Sequence, residues 1–368
     1  MVENSRIKLR MEQLIEIIRY HDEKYYKCNK PEISDEDYDA LLMELIKLEK
    51  EYPEYAKKDS PSYRVGSDIS NEFEKVEHTI PVLSLEKIYT SEEVKNRMLE
   101  DLAEKPDLQG FTCEFKYDGS SVVLYYEDGI LTRGVTRGNG QVGNDITLNI
   151  KTIKNIPLTL KEKINLVVRG EVVISKSDFD SYNKKFDNIY ANPRNLAAGS
   201  LNRIKSTDVS QIPLQFIAYD GITNDIKINT NIDMLKFLNK NLFFTGSETY
   251  LFMTSSISEN NDFVKEVYIE DIDKIIIELT EKRKISEYPI DGLVFKINDI
   301  NSRDSFGYTG HHPKWAFAYK FEAPKAVSTI RDIVFQVGRG GRITPVALLD
   351  EVNIAGSNVS RATLHNED

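Results

Sequence analysis

The chain has 368 residues, 40% hydrophobic and 29% charged, which is a soluble globular composition and too long for one ordinary core. Its formal net charge of -11 at pH 7 argues against a surface built throughout to neutralise a nucleic-acid backbone. No run of about 18 apolar residues occurs, so no membrane span is expected. The N-terminus, MVENSRIKLRMEQL, lacks an apolar signal core, and Cys28 and Cys113 lie in different segments, which suits a reducing cytoplasmic setting. His311 and His312 are adjacent with no second pair, so zinc is not expected.

In chain order, Ile7, Met11, Leu14, Ile15 and Ile18 form one helical stripe, and Leu41, Leu42, Leu45 and Leu48 form another. Ser34 followed by Asp37 resembles a capping box at the start of the second helix. DSPSYRVGSD, at 59 to 68, reads as a linker. Beyond it come short strands with turn signals. SVVLYYEDGILTRGV carries Asp128-Gly129 as a hairpin turn, and helices are expected around KSDFDSYNKKF and DIDKIIIELTEKRK. Without regular βαβ alternation, this texture predicts an α+β domain with antiparallel sheets. The last 45 or so residues suit the start of a small β-barrel. From Lys314 to Arg342 there are six basic residues (Lys314, Lys320, Lys325, Arg331, Arg339, Arg342) against Glu322 and Asp332, a patch suited to a polyanion.

In the strand around CEFKYDGSS (113 to 121), alternation puts Phe111, Cys113, Phe115 and Tyr117 on one face and Thr112, Glu114, Lys116 and Asp118 on the other. DGLVFKIN repeats the pattern, with Asp291, Leu293, Phe295 and Ile297 opposite Gly292, Val294 and Lys296. WAFAYKFEA sets Lys320 among small residues, and Glu171 interrupts a β-branched run. A single lysine in a strand is ordinarily a solvated or edge-guarding residue. Three beside small residues suggest one pocket. A lysine nucleophile must be deprotonated, which burial or neighbouring cations favour, and Lys296 and Lys320 near Lys116 would serve and would also meet phosphate oxygens. Spacing alone permits nucleotidyl transfer or a Schiff-base lysine.

Lys116-Tyr117-Asp118-Gly119 resembles the K-x-D-G motif of covalent nucleotidyltransferases. TRGNG (136 to 140), RGEVVIS (169 to 175), FIAYDG (216 to 221), DGLVFK (291 to 296) and WAFAYKF (315 to 321) resemble the remaining adenylation motifs in order. Over its whole length the chain is similar to bacterial-type NAD-dependent DNA ligases. YYKCNKPEISDEDYD (25 to 39), DSPSYRVG, PVLSLEK, YANPRNLAAGSL and FQVGRGGRITPVA carry that likeness.

The resemblance implies three parts: a helical Ia subdomain with linker over 1–68, an adenylation domain of antiparallel sheets flanked by helices over 69–322, and an incomplete oligonucleotide-binding (OB) fold over 323–368. It implies that Lys116 attacks the α-phosphorus of NAD, holds AMP as a phosphoramidate and releases nicotinamide mononucleotide. AMP would then pass to the 5′-phosphate of a nick, which the 3′-OH seals, in DNA replication and repair. Glu114 would accept from the adenine amino group, Tyr219 and Lys296 would flank the ring, and Ser84 and Leu85 would line the adenosine pocket. Glu171 and Arg137 would serve the ribose and its neighbours, and Lys320 the phosphate. Tyr25, Tyr26, Asp35, Glu36, Asp37, Tyr38 and Asp39 would bind the mononucleotide; the spacing of Asp35, Tyr38 and Asp39 puts those three on one helix face. Arg194, Arg203, Arg339 and Arg342 are the candidate DNA contacts. Magnesium or manganese is implied, held largely by phosphates and water, with no metal ligands assigned. Asn202 stands where the family usually has Arg.

The chain stops at Asp368 inside the expected barrel, so a monomeric fragment is expected, competent mainly for self-adenylation, with weak affinity for nicked duplex. An ATP-dependent ligase or capping guanylyltransferase is the nearest rival, and a silent nucleic-acid-binding module is another. Residues 25 to 39 argue against the first and the three lysines against the second.

Overall fold

The computed structural model describes residues 2–22, 33, 35–57, 60–64, 73–186, 190–246, 248–253, 263–309, 312–321, 326–337, 343–354 and 357–364. The chain opens with two helices, α1 (Val2–Asp22) and α2 (Asp35–Glu51). Met11, Leu14, Ile15 and Ile18 pack on Leu45, with Leu41, Leu42 and Leu48 at the margin, so both apolar stripes meet as their spacing requires. Arg10 reinforces the pair with a bidentate bond to Glu44, 2.7 Å at each oxygen. The Ser34 cap lies outside the described residues.

Part of the expected linker is folded. Residues Pro61–Arg64 form a 3-10 turn, Ser60 is fully buried, and Ser62 bonds Glu49. Two short strands follow, β1 (Lys75–Glu77) and β2 (Glu86–Ile88), then α3 (Ser91–Glu104). A reciprocal capping box between Thr90 and Glu93 starts α3.

Next come β3 (Phe111–Tyr117), β4 (Ser120–Glu127), β5 (Ile130–Thr136), β6 (Val142–Asn144), α4 (Thr147–Lys151) and β7 (Leu166–Val173). The β4–β5 turn falls on Asp128 and Gly129, with φ of 48° and 77°, as expected of a two-residue hairpin. The chain continues through α5 (Lys176–Lys185), α6 (Pro193–Leu201), α7 (Ser206–Ser210), β8 (Gln215–Ile222) and α8 (Asn231–Lys240). After β9 (Thr249–Met253) and β10 (Val264–Tyr268) come α9 (Ile272–Ile285), β11 (Ile290–Ile297), α10 (Arg303–Phe306) and β12 (Ala316–Lys320). The last strands, β13 (Ile330–Val337), β14 (Ile343–Ile354) and β15 (Ser357–Thr363), form an antiparallel three-stranded sheet.

Two larger sheets organise the middle of the chain. One has the order β10-β9-β3-β11-β12-β2 and the other β5-β4-β7-β8. The α+β expectation holds, with one refinement: β9–β10 and β12–β2, at the two edges of the six-stranded sheet, pair in parallel. Each sheet has its own core. Phe111, Cys113, Phe115, Leu293, Phe295 and Phe317 pack under α3 and α9 on one. Val122, Leu124, Val168, Val172, Phe216 and Ala218 pack against helices and loops on the other. Alternation within each strand leaves the remaining side chains for the space between the sheets.

Candidate active site

That space is a cavity of ≈ 1100 Å³. Lys116, Glu114, Asp291, Lys296 and Lys320 line it from the six-stranded sheet, and Ser121, Arg169, Glu171, Tyr219 and Asp220 from the four-stranded one. Ser84, Leu85, Arg137, Arg194 and Asn202 also line it, so every cavity residue expected from the sequence other than those at 25 to 39 is brought together here.

β3 pairs antiparallel with β11, setting Glu114 against Val294 and Lys116 against Gly292. A Cβ on Gly292 would come within 2.3 Å of Tyr319 O, so the close approach of β12 requires glycine. The register shifts between Ile290 and Gly292, a bulge that leaves Asp291 without a partner. Alternation alone had put Asp291 on the core face; the bulge turns it into the cavity instead. There it sits between two lysines. Lys320 Nζ lies 2.5 Å from Asp291 Oδ2, and Lys116 Nζ lies 3.3 Å from Oδ1 and 3.4 Å from Oδ2. The expected crowding of cations around Lys116 is thereby corrected: a carboxylate mediates between Lys116 and Lys320, and Lys296 turns elsewhere.

Lys296 Nζ donates to both oxygens of Glu114 at 3.0 Å and to Tyr219 O at 2.6 Å. This ion pair is nearly dry, at 6% and 8% side-chain exposure. Its remaining lone pairs are therefore available only to what enters the cavity or to buried neighbours. The Tyr219 ring lies 5.7 Å from Lys296 Nζ, and its hydroxyl is 3.0 Å from Ser121 Oγ. Burial pushes the Tyr219 phenol up to about 12, with Glu171 adding to the shift. A second register shift, between Arg169 and Gly170 opposite β8, lets both Tyr219 and Asp220 face the cavity.

Glu171 accepts from Gly119 N at 3.2 Å. Burial raises its carboxyl to about 7, against the opposing pull of Lys116 and Arg194. Arg137 donates to Ser84 Oγ at 2.7 Å, and Arg194 to Asp118 Oδ1 at 2.7 Å. Among the described residues, Arg169 Nε and Trp315 Nε1 are buried without a hydrogen-bond partner, and both residues line the cavity. The donor set, the ring wall and the unsatisfied polar atoms fit a nucleotide.

Other expected positions fare differently. Arg203 lies outside the cavity lining and donates to the hydroxyls of Tyr182 (2.9 Å) and Tyr190 (3.3 Å), anchoring the end of α6. Of the basic stretch, Lys320 bonds Asp291, and Arg331 grips Asp350 at 2.6 and 2.7 Å. Tyr25, Tyr26, Lys325, Arg339 and Arg342 lie outside the described residues. Asp35, Glu36, Tyr38 and Asp39 fall in the first turns of α2, and of their immediate group only the side chain of Asp37 is described, as exposed. Among the described residues no group of three or more His, Cys, Asp or Glu could hold a metal ion. Among them, too, no helix is long and apolar enough to cross a membrane. Sequence reading missed Asp291 and Asp220, which a strict period of two could not place, and Arg169, which the same period puts on the face of Glu171 two residues away.

The fold and this cavity together define an adenylation domain, and comparison extends that result. Residues 70–324 match the NAD-dependent DNA ligase adenylation domain, residues 4–66 the DNA ligase-like N-terminal NAD+-binding domain, and residues 327–368 the NAD-dependent DNA ligase OB-fold domain. The chain belongs to the NAD-dependent DNA ligase family. Among curated relatives, the DNA ligase of Borrelia recurrentis (strain A1) is 43% identical over 98% of this chain and 53% of its own length. That of Borreliella burgdorferi (strain ATCC 35210 / DSM 4680 / CIP 102532 / B31) is 42% identical over 99% of this chain and 53% of its own. The chain spans about half the length of the curated relatives it matches.

Proposed function

We propose that this chain transfers AMP from NAD to its own Lys116, as the first step of sealing nicked duplex DNA in replication and repair. The observation that carries the reading is the Lys116–Asp291–Lys320 row at one part of a cavity whose other part holds the Glu114–Lys296 pair beside Tyr219. Adenine enters beside Tyr219, with its amino group donating to Glu114, whose carboxylate Lys296 holds in place. Ribose meets Glu171, with Arg137 and Ser84 nearby and Leu85 on the wall. The α-phosphate then comes to Lys116.

Lys116 Nζ gives up a proton, for which Asp291 is the acceptor within reach, and forms the nitrogen–phosphorus bond. The bond from α-phosphorus to the bridging oxygen breaks, and nicotinamide mononucleotide leaves with the electron pair. Lys320 neutralises the charge that builds on the phosphoryl oxygens. Residues 1–68, with Tyr25, Tyr26, Asp35, Glu36, Asp37, Tyr38 and Asp39, form the unit that holds the mononucleotide. Residues 69–322 form the adenylating unit, and 323–368 belong to the OB fold. Arg194 is the described candidate for a DNA contact, and the setting is the cytoplasm.

NAD labelled in its adenylate tests this directly. An alkali-stable, acid-labile adduct on Lys116 that forms from NAD and not from ATP, and that disappears in Lys116→Ala, supports the reading. Adduct formation from ATP alone would overturn it in favour of an ATP-dependent enzyme.

A further inference from the structure

Glu114 is held from behind as well as from the cavity side. Its Oε1 accepts from Lys296 at 3.0 Å and from Asn231 Nδ2 at 2.9 Å, whereas Oε2 has the Lys296 bond at 3.0 Å. Asn231, the first residue of α8, also donates from Nδ2 to Thr112 Oγ1 at 3.0 Å. Its Oδ1 accepts from Arg303 Nη2 at 2.8 Å. Arg303, on α10, further donates to the carbonyl of Ile297 from Nη2 at 3.1 Å and from Nε at 3.3 Å. Asp220 lies 3.7 Å from its Nη1, and its guanidinium stacks 4.3 Å from the Trp315 ring centroid. Asn231 and Arg303 are 1% and 7% exposed, and neither lines the cavity.

A buried guanidinium is costly unless every donor is used, so its place behind a cavity wall calls for a reason. The reason lies in the amide it touches. Reversing the Asn231 amide would exchange oxygen and nitrogen at almost no cost in shape, so neighbours alone decide its orientation. A guanidinium only donates. Arg303 therefore holds the amide oxygen toward itself and the amide nitrogen toward Glu114 and Thr112.

Resting on the reading of Glu114 as the base-recognising group, we propose that Arg303 and Asn231 are positioning residues for base selection. They pin Oε1 of Glu114 and leave Oε2 as an acceptor aimed at an exocyclic amine. A purine with an amine at C6 donates to that oxygen. A purine with a carbonyl there sets its oxygen against Oε2, acceptor facing acceptor with no proton between them, which disfavours it. Without Arg303 the amide is free to reverse and the carboxylate to turn.

The test measures self-adenylation of the chain with NAD and with nicotinamide hypoxanthine dinucleotide. For Arg303→Leu, KM for NAD should rise about tenfold, the scale of one hydrogen bond to a charged group. Preference for NAD over the hypoxanthine analogue should narrow by a similar factor, with kcat held within about threefold, because a residue that acts only on base binding leaves the chemical step alone. Arg303→Lys should recover part of the preference. Unchanged KM and preference in Arg303→Leu, or a fall in kcat alone, would overturn the inference. If thermal melting shows that Arg303→Leu does not fold, Asn231→Ser carries the same expectation and decides it by the same criteria. A parent chain that forms no adduct from either dinucleotide overturns the reading of the site and this inference with it, whereas a parent adduct with unmoved variants overturns this inference only.

Discussion

On the proposed mechanism, Asp291 is the residue on which transfer to Lys116 turns. It faces both Lys116 and Lys320, so Asp291→Asn keeps the shape and removes the proton acceptor. Adduct formation from labelled NAD should slow by about 100-fold, the low end of what a positioned base contributes, while NAD binding by calorimetry changes little. Glu171 makes a separate expectation in pH. Its carboxyl is raised from 4.5 to about 7 in the folded chain, so between those values the folded state holds a proton that the unfolded state has lost. Its contribution to stability is fully present below 4.5 and is lost as pH rises through 7. Glu171→Gln should therefore flatten that part of the profile and gain up to about 3 kcal/mol over the parent above pH 7, read from denaturant midpoints across pH. Lys116, Glu114, Lys296 and Lys320 were legible in the sequence because each sits in a regular strand where a period of two assigns the face. Asn231 and Arg303 were not, because nothing in their own segments marks them; only the folded chain brings them to Glu114, 117 residues from Asn231.

At the scale of elements, the site is made by breaking strand regularity in two places. One bulge gives Asp291 to the cavity and the other lets Tyr219 and Asp220 share it. Bulges of this kind re-aim side chains beside active sites, and a single sequence shows only a short strand with a charged residue out of step. The hairpin at Asp128-Gly129 was readable because its turn type demands those residues. The parallel edge pairings were not, since partner choice at a sheet edge is set by distant chain. Gly119 ties the two sheets' strands at the β3–β4 turn: a Cβ there would lie 2.1 Å from Val172 O. Gly119→Ala should destabilise the chain by about 1–3 kcal/mol through overpacking. It should also shift the bond that Gly119 N makes to Glu171, giving a loss of adduct larger than the loss of folded protein measured by circular dichroism.

At the scale of the whole molecule, the helical pair at the N-terminus has a small core of its own around Met11, Leu14, Ile15, Ile18 and Leu45. Its proposed task, gripping the mononucleotide, leaves that core untouched. Asp35→Ala should thus weaken adduct formation from NAD, seen as a raised KM, with the melting temperature unchanged; an unaltered KM would remove Asp35 from the mononucleotide site. The two sheets that face the cavity likewise keep separate cores. Lys116, Asp291 and Lys320 all belong to the six-stranded sheet, while Glu171 and Tyr219 belong to the other. On the proposed mechanism, a nucleotide bonded to Lys116 would be cargo fastened to one jaw of a vice. The opposite jaw, which holds Glu171 and Tyr219, would have no covalent tie to that load.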